Sequence, residues 1–152
     1  VTSRRLILIA AAGSAALLIG AFVFQAMGYA PCKLCIWQRW PHGAAIAIGA
    51  VAILASLPVL AWAGALAAAV SGAIGIYHTG VERLWWPGPD TCTASGDLQG
   101  SAEDLLNQIM EAPLVRCDEV AWAFAGLSMA TWNAVLSFAL AAIWIAAARR
   151  AA

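Results

Sequence analysis

The fold class predicted for this chain is an all-α membrane protein: a four-helix transmembrane bundle with two loops on one face. Three observations predict it. Of its 152 residues, 63% are hydrophobic and only 11% charged, against about a quarter charged in ordinary soluble domains. Apolar segments recur at about 6–27, 36–57, 59–77 and 120–148, each near or above the roughly 20 residues that cross a bilayer as helix. All eight acidic residues fall from Glu82 to Glu119, so the charge is gathered in one stretch that must be wet. Residues 1–152 then form one domain, with outer loops at about 28–35 and 78–119.

Each element has its own justification. The first span follows Ser3-Arg4-Arg5, a start that a cleaved signal peptide could share. Its apolar run exceeds the roughly 7–15 residues of a signal core and no small-x-small site follows, so it is expected to stay as a span. Gly28 to Pro31 makes a brief outer loop. Ser56-Leu57-Pro58 leaves room only for a tight turn, which pairs the second and third spans as a hairpin. The long loop opens on Leu84-Trp85-Trp86-Pro87-Gly88-Pro89 and passes a polar region around Cys92. It then carries a short amphipathic helix with Ser101 as cap, Asp104 three residues on, and Leu105, Leu106, Ile109 and Met110 on one face before Pro113. That helix is expected to lie in the membrane surface. Trp37, Trp40, Trp85, Trp86 and Trp122 suit an aromatic belt at the interface. Gly13, Gly20, Gly72, Gly75 and Gly126 suit close helix approach, with Asn133 available as an interhelical hydrogen-bonding group.

Net charge is zero and no basic run occurs, so a nucleic acid backbone has nothing to hold it. Lys and Arg divide evenly between the two faces: Arg4, Arg5, Arg149 and Arg150 against Lys33, Arg39, Arg83 and Arg116. The end arginines are paired at span boundaries with no acid nearby, which favours cytoplasmic termini. All four cysteines then fall on the opposite face, and an oxidising compartment such as a periplasm is where thiols pair.

Pro31-Cys32-Lys33-Leu34-Cys35-Ile36-Trp37-Gln38-Arg39 carries the chemistry. With Pro31 in the first turn of the second helix, both cysteines lie at its amino end, where free N–H groups and the helix dipole favour a thiolate. Arg39 follows Cys35 by one turn and adds a fixed positive charge on the same face. Pro41 is expected to kink the helix just beyond. A thiolate beside a guanidinium at the edge of hydrocarbon describes a redox site. Alternatives remain at this level: Arg39 snorkelling to the interface, a C-x-x-C shared by metal sites and redox motifs, and a structural tetraspan holding zinc through four thiolates. His42 and His78 read as interface residues near the outer helix ends, or as haem ligands, although no His follows the C-x-x-C directly as c-type attachment needs.

The same nonapeptide, Tyr77-His78-Thr79-Gly80-Val81-Glu82, Thr91-Cys92-Thr93 and Arg116-Cys117-Asp118-Glu119 running into Trp122-Ala123-Phe124-Ala125-Gly126-Leu127-Ser128-Met129 together resemble the DsbB family of bacterial disulfide-bond formation proteins over nearly the whole chain. The resemblance implies a multi-pass bundle in the bacterial inner membrane, both termini cytoplasmic, acting as a thiol:quinone oxidoreductase. Its expected partners are a periplasmic thioredoxin-like thiol oxidase of the DsbA type and the membrane quinone pool, with ubiquinone or menaquinone as the dissociable acceptor. By position, Cys92 forms the mixed disulfide with the partner, Cys117 is its pair, Cys32 is the shuttle cysteine, and Cys35 meets quinone beside Arg39; His78 and Met129 match positions near the quinone pocket. Gln38 stands where some relatives carry Glu, which leaves proton handling there open. Vitamin K epoxide reductase-like enzymes use similar parts, but with the loop cysteines ahead of the C-x-x-C. Oxidants of the DsbA type lie near about −120 mV and structural disulfides below about −300 mV, so an ordinary loop disulfide would leave partner oxidation uphill by roughly 8 kcal/mol. The implied loop disulfide is therefore strained or coupled, presented on a mobile loop and drawn forward by exchange with Cys32.

Overall fold

A computed structural model describes residues 1–89, 92, 101–103, 106–107 and 115–151. Among these are four long helices, α1 (Ser3–Ala26), α2 (Lys33–Leu54), α3 (Ala61–Glu82) and α4 (Met129–Arg149), with a 3-10 turn at Pro58–Leu60 and strands β1 (Ala123–Phe124) and β2 (Leu127–Ser128). Three described helical stretches are long and apolar enough to cross a membrane: Ser3–Ala26, Pro58–Glu82 and Met129–Arg149. α2 has the length, but Lys33, Gln38, Arg39 and His42 occupy its first turns. Most of the amphipathic helix predicted between Ser101 and Pro113 lies outside the described residues; Ala102, Glu103, Leu106 and Asn107 are helical.

Helix ends explain the departures from the predicted boundaries. Cys32, not Pro31, begins α2: Cys32 is the N-cap and Pro31 stands ahead of it. Pro41 lies inside α2, which runs on past it to Leu54. At the α2–α3 turn Ser56 takes φ 54° and Leu57 N–H donates to Ala52 O at 2.9 Å, a Schellman closure that satisfies a terminal carbonyl. α3 does not stop near Tyr77. It continues to Glu82 because His78, Gly80 and Val81 turn inward and are buried, and it closes the same way, with Leu84 at φ 57° and Trp85 N–H on Gly80 O at 2.9 Å. Trp86 folds back over this end: its Nε1–H donates to Tyr77 O at 2.9 Å, and a Cβ at Gly80 would collide with the indole.

The last span begins at Met129 rather than near 120. Residues 123–128 form an antiparallel hairpin pairing Ala123 with Ser128 and Phe124 with Leu127. Ala125 (φ 51°) and Gly126 (φ 78°) supply the two left-handed positions of its turn. Ser128 then caps α4 by accepting from Thr131 N–H at 3.2 Å. The apolar run from Val120 is thus interrupted by a two-residue turn and a serine cap before helix begins.

The helices close a ring, α1 against α2 and α4, α3 against α2 and α4. The chain ends lie together, Ser3 Oγ donating to Ala147 O at 2.8 Å and Arg150 Nη1 to Val1 O at 2.6 Å. At that end Ile7, Ala52, Ala61, Ala147 and the fully buried Trp144 form an apolar core. At the other end Cys32, Leu34, Val81, Cys92 and Cys117 form a second cluster, with Cys35 and Val115 against it. Large side chains such as Ile19, Phe22, Trp40, Leu54 and Leu66 point outward, as a lipid-facing surface requires.

Gly64 and Gly49 make the notch that admits Trp144: a Cβ at Gly64 would come within 2.6 Å of the indole. Gly64→Ala is expected to cost about 1–3 kcal/mol by overpacking. Gly43→Ala, whose methyl would meet nothing within 4 Å, is expected to be neutral or up to about 1 kcal/mol stabilising. Thermal unfolding of the two variants in detergent checks the contrast.

Candidate functional site

Cys32 caps α2 with its own sulfur, which accepts from Cys35 N–H at 3.3 Å. Helical spacing brings the two sulfurs to 3.0 Å, with Cys32 as donor, and neither is in a disulfide. Cys32 is 5% exposed. Its hydrogen bond to Cys35, then burial, push its thiol up from the ordinary cysteine range, so the helix-tip preference for a thiolate does not win at Cys32. Cys35 is half-buried and faces a cavity.

His78, on α3, meets this pair from the side. Its Nε2 is 3.4 Å from Cys32 Sγ and its Nδ1 is 2.9 Å from Gln38 Nε2. An amide nitrogen only donates, so Nδ1 is the acceptor and Nε2 carries the proton toward Cys32. Gln38 at Nδ1, with a further hydrogen bond between the ring and the Cys117 backbone, thereby sets the tautomer and orientation of His78. One turn beyond, Glu82 Oε1 lies 4.0 Å from His78 Nε2. Glu82 is held from the other side by a short hydrogen bond from the Ser128 hydroxyl. The end of α3 and the start of α4 are thereby joined at a carboxylate next to the dithiol.

Arg39 spends its direct bonds on α1 rather than on sulfur. It donates to Gln25 Oε1 at 2.7 Å and Ala21 O at 3.3 Å, and its guanidinium lies 4.9 Å over the Phe22 ring. Its Nε is buried without a partner. The expected thiolate–guanidinium contact is therefore replaced by a shared cavity, which both Arg39 and Cys35 line. That cavity, about 230 Å³, is walled by Leu17, Gly20, Ala21 and Phe24 of α1, by Tyr29, Trp122 and Leu136, and by the polar groups of Gln38, Arg39, His42, His78 and Asn133, with Met129 at its edge.

His42 is not the interface residue its sequence position predicts. It is 2% exposed, and its Nε2 sits 3.0 Å from Asn133 Oδ1, 3.0 Å from Ser71 Oγ and 3.3 Å from Ser137 Oγ. Ser71 donates to Gln38 O at 3.1 Å, and Asn133 Nδ2 donates to Ser71 Oγ at 3.2 Å. These contacts fix Nε2 as the N–H and leave Nδ1, buried and unpartnered, as a free lone pair. His78 is equally buried, at 3%.

Cys92 and Cys117 are joined as a disulfide, so four free thiolates are not assembled. Both are buried, at 3% and 0% exposure, packed with Cys32 and Val81. Cys92 is thus covered in this state rather than presented. Beside them Arg116 grips Asp118 at 2.6 and 2.9 Å, and these hydrogen bonds hold the Asp118 carboxyl below the usual range. Arg116 is exposed and Asp118 only partly covered, so solvent screens the pair and it contributes little to stability.

The structure therefore gathers Cys35, Arg39, His78 and Met129 around one cavity, and sets Cys32 and the Cys92–Cys117 pair directly behind it. Sequence reasoning did not single out Glu82 or Ser128, and left Gln38 and His42 without a role. For Gln38 and His42 the signal was present, since polar residues at α2 positions otherwise apolar are functional candidates by default; Glu82 and Ser128 sit at helix ends, where a polar residue is ordinary.

A family model described as disulfide bond formation protein DsbB matches residues 3–147. Disulfide bond formation protein B of Polaromonas sp. (strain JS666 / ATCC BAA-500) is 27% identical over 147 residues, 92% of this chain and 86% of that protein. The protein of the same name from Paracidovorax citrulli is 29% identical over 157 residues, 97% of this chain and 87% of its own length. That of Polaromonas naphthalenivorans is 29% identical over 139 residues, 87% and 83% of the two chains. No solved structure gives a significant match.

Asn133→Leu removes the acceptor of His42 Nε2–H and a donor to Ser71. It is expected to destabilise by about 1–3 kcal/mol, whereas the double variant His42→Leu/Asn133→Leu, which removes both sides, recovers part of that loss. A double-mutant cycle of unfolding in detergent measures it.

Proposed function

The chain belongs to the DsbB family of disulfide bond formation proteins, and on that premise we propose that it is a thiol:quinone oxidoreductase. It would reoxidise a periplasmic thioredoxin-like partner of the DsbA type and deliver the electrons to ubiquinone or menaquinone in the bacterial inner membrane. The observation that carries this reading is the Cys32–Cys35 pair standing between a buried disulfide and an apolar cavity. Termini lying together at the end opposite the cysteines support four crossings with both ends cytoplasmic, α2 crossing as the polar-faced member of the ring.

The cavity fits a quinone head group. Its walls are apolar, its volume of about 230 Å³ falls just below the roughly 300–1,000 Å³ of pockets for whole drug-sized ligands, and two of its lining residues have buried polar atoms lacking partners, Arg39 Nε and His42 Nδ1. A flat ring with oxygens at its edge and a tail left in lipid meets those demands. Arg39 would hold the ring through its free N–H, with Cys35, His78 and Met129 at the same wall. A quinone bound there supplies an acceptor for two electrons and two protons.

The residues of the chain do the rest. A partner thiolate attacks Cys92, releasing Cys117; the partner's second thiol then closes its own disulfide and leaves Cys92 and Cys117 reduced. Cys32 and Cys35, once joined, take those two electrons by the same exchange and return to the dithiol form. His78 directs Nε2–H at Cys32, where it stabilises sulfur charge each time that bond opens. Glu82 is placed one step behind to take up a proton, and Ser128 keeps its carboxylate in position. Burial of the whole cluster keeps water and stray thiols out.

Quinone absorbance, followed while a reduced DsbA-type partner is added to the protein in detergent, tests the assignment. The wild type is expected to reduce quinone. Cys35→Ala is expected to keep mixed-disulfide capture through Cys92 yet abolish quinone reduction, and sustained turnover in that variant would refute the roles assigned to the four cysteines. Arg39→Ala is expected to raise the quinone KM about ten- to a hundredfold, the worth of one charge-assisted hydrogen bond.

A further inference from the structure

We propose that Cys32, Cys35 and His78 hold a Zn²⁺ ion when the dithiol is reduced, with Glu82 or a water as fourth ligand. The inference needs only the reduced dithiol and stands apart from the quinone. The two sulfurs and the imidazole nitrogen all lie within 4.8 Å of one another, and all three residues are buried or half-buried. Bond lengths of about 2.0–2.3 Å give a tetrahedral zinc site ligand–ligand edges of roughly 3.3–3.8 Å. Cys32 Sγ and His78 Nε2 already stand at such an edge, 3.4 Å. The sulfurs, at 3.0 Å, must part by about 0.8 Å to span the edge that two Zn–S bonds set, a movement within reach of a χ1 adjustment. Glu82 Oε1 lies 4.0 Å from His78 Nε2 but outside the close-set trio of donors, so it reaches the fourth corner only by moving inward, and a water fills that corner otherwise.

The donor set selects the metal. Two thiolates and one imidazole, a set that leaves one position open, suit zinc and repel the hard cations that prefer oxygen. Binding is a proton exchange with no electron transfer: two S–H bonds break, two Zn–S bonds form, and two protons leave. His78 must bind through Nε2, so its ring proton moves to Nδ1, and the Gln38 amide turns over to accept it through Oε1. Gln38 thereby becomes the outer partner that orients a metal-bound histidine. Oxidation of the pair to a disulfide removes both anionic ligands and expels the ion. Zinc would accordingly lock the enzyme in its reduced, inactive state.

The experiment uses the full chain in detergent, reduced with a phosphine and titrated with zinc chloride against a chromophoric chelator. One zinc per chain is expected, absent from protein whose Cys32 and Cys35 are oxidised, and cobalt in its place is expected to give thiolate charge-transfer absorption. Cys35→Ser and His78→Gln should each weaken binding at least about tenfold, and Gln38→Glu should tighten it by about tenfold, since outer partners are typically worth 10–100-fold. The double variant Cys92→Ser/Cys117→Ser should keep full stoichiometry. Failure of the reduced protein to bind zinc at micromolar concentration overturns the site, as does binding that survives both Cys35→Ser and His78→Gln or vanishes with the loop pair. Quinone reduction by metal-free protein is measured alongside: its absence counts against the oxidoreductase assignment and leaves the zinc titration to decide the metal site.

Discussion

A polar group buried without a partner is costly, and that constraint governs everything built on α2. Its first three turns carry Gln38, Arg39 and His42, groups that a helix packed among apolar neighbours cannot leave bare. Each finds its partner on a different neighbour: Arg39 on α1, Gln38 on His78 of α3, His42 on Ser71 of α3 and on Asn133 and Ser137 of α4. α2 is therefore the member of the ring whose polar side chains reach all three of the others. Satisfying its polar side chains fixes how the other three helices are rotated about it, and the same contacts aim Cys35 and His78 into one space. Fold and site are a single solution to one solvation problem.

Much of this was legible in the sequence. Charge segregation and apolar length gave the helices, the C-x-x-C spacing gave a dithiol at a helix start, and the serine-to-proline turn gave the α2–α3 hairpin. What stayed hidden shares a physical cause, the direction of side chains. Hydropathy ended the third helix at Tyr77 because His78 and Glu82 look wet, yet both turn inward to partners contributed by distant segments. It began the fourth at residue 120 because Ala-Gly in a greasy run does not announce a left-handed turn. Arg39 was assigned to Cys35 by one-turn spacing, but Gln25 and Ala21 on α1 offered oxygens that a sulfur could not match. The amphipathic helix around Leu105 to Met110 falls outside the described residues.

The two ends of the bundle solve different tasks with the same small-residue vocabulary. Near the termini Gly49 and Gly64 admit a whole indole, giving an apolar plug around Trp144. At the opposite end Gly80 admits Trp86, which seals the tip of α3 and steadies the turn carrying His78 and Glu82. Rigid packing at one pole thus frees the other to hold reactive sulfur without surrendering the fold.

The enclosure of the Cys92–Cys117 bond has a kinetic meaning. A sulfur nucleophile must approach along the S–S axis, and with exposures of 3% and 0% neither sulfur is open to solvent, both being packed in one cluster with Val81 and Cys32. Exchange therefore carries a pre-equilibrium: its observed rate is the intrinsic rate scaled by the fraction of molecules in which the bond is uncovered. Glutathione-sized thiols, having no surface with which to shift that equilibrium, meet a nearly closed door. A protein partner of the kind proposed above would have to raise the uncovered fraction as it binds, so discrimination among thiols would come from access rather than from sulfur chemistry.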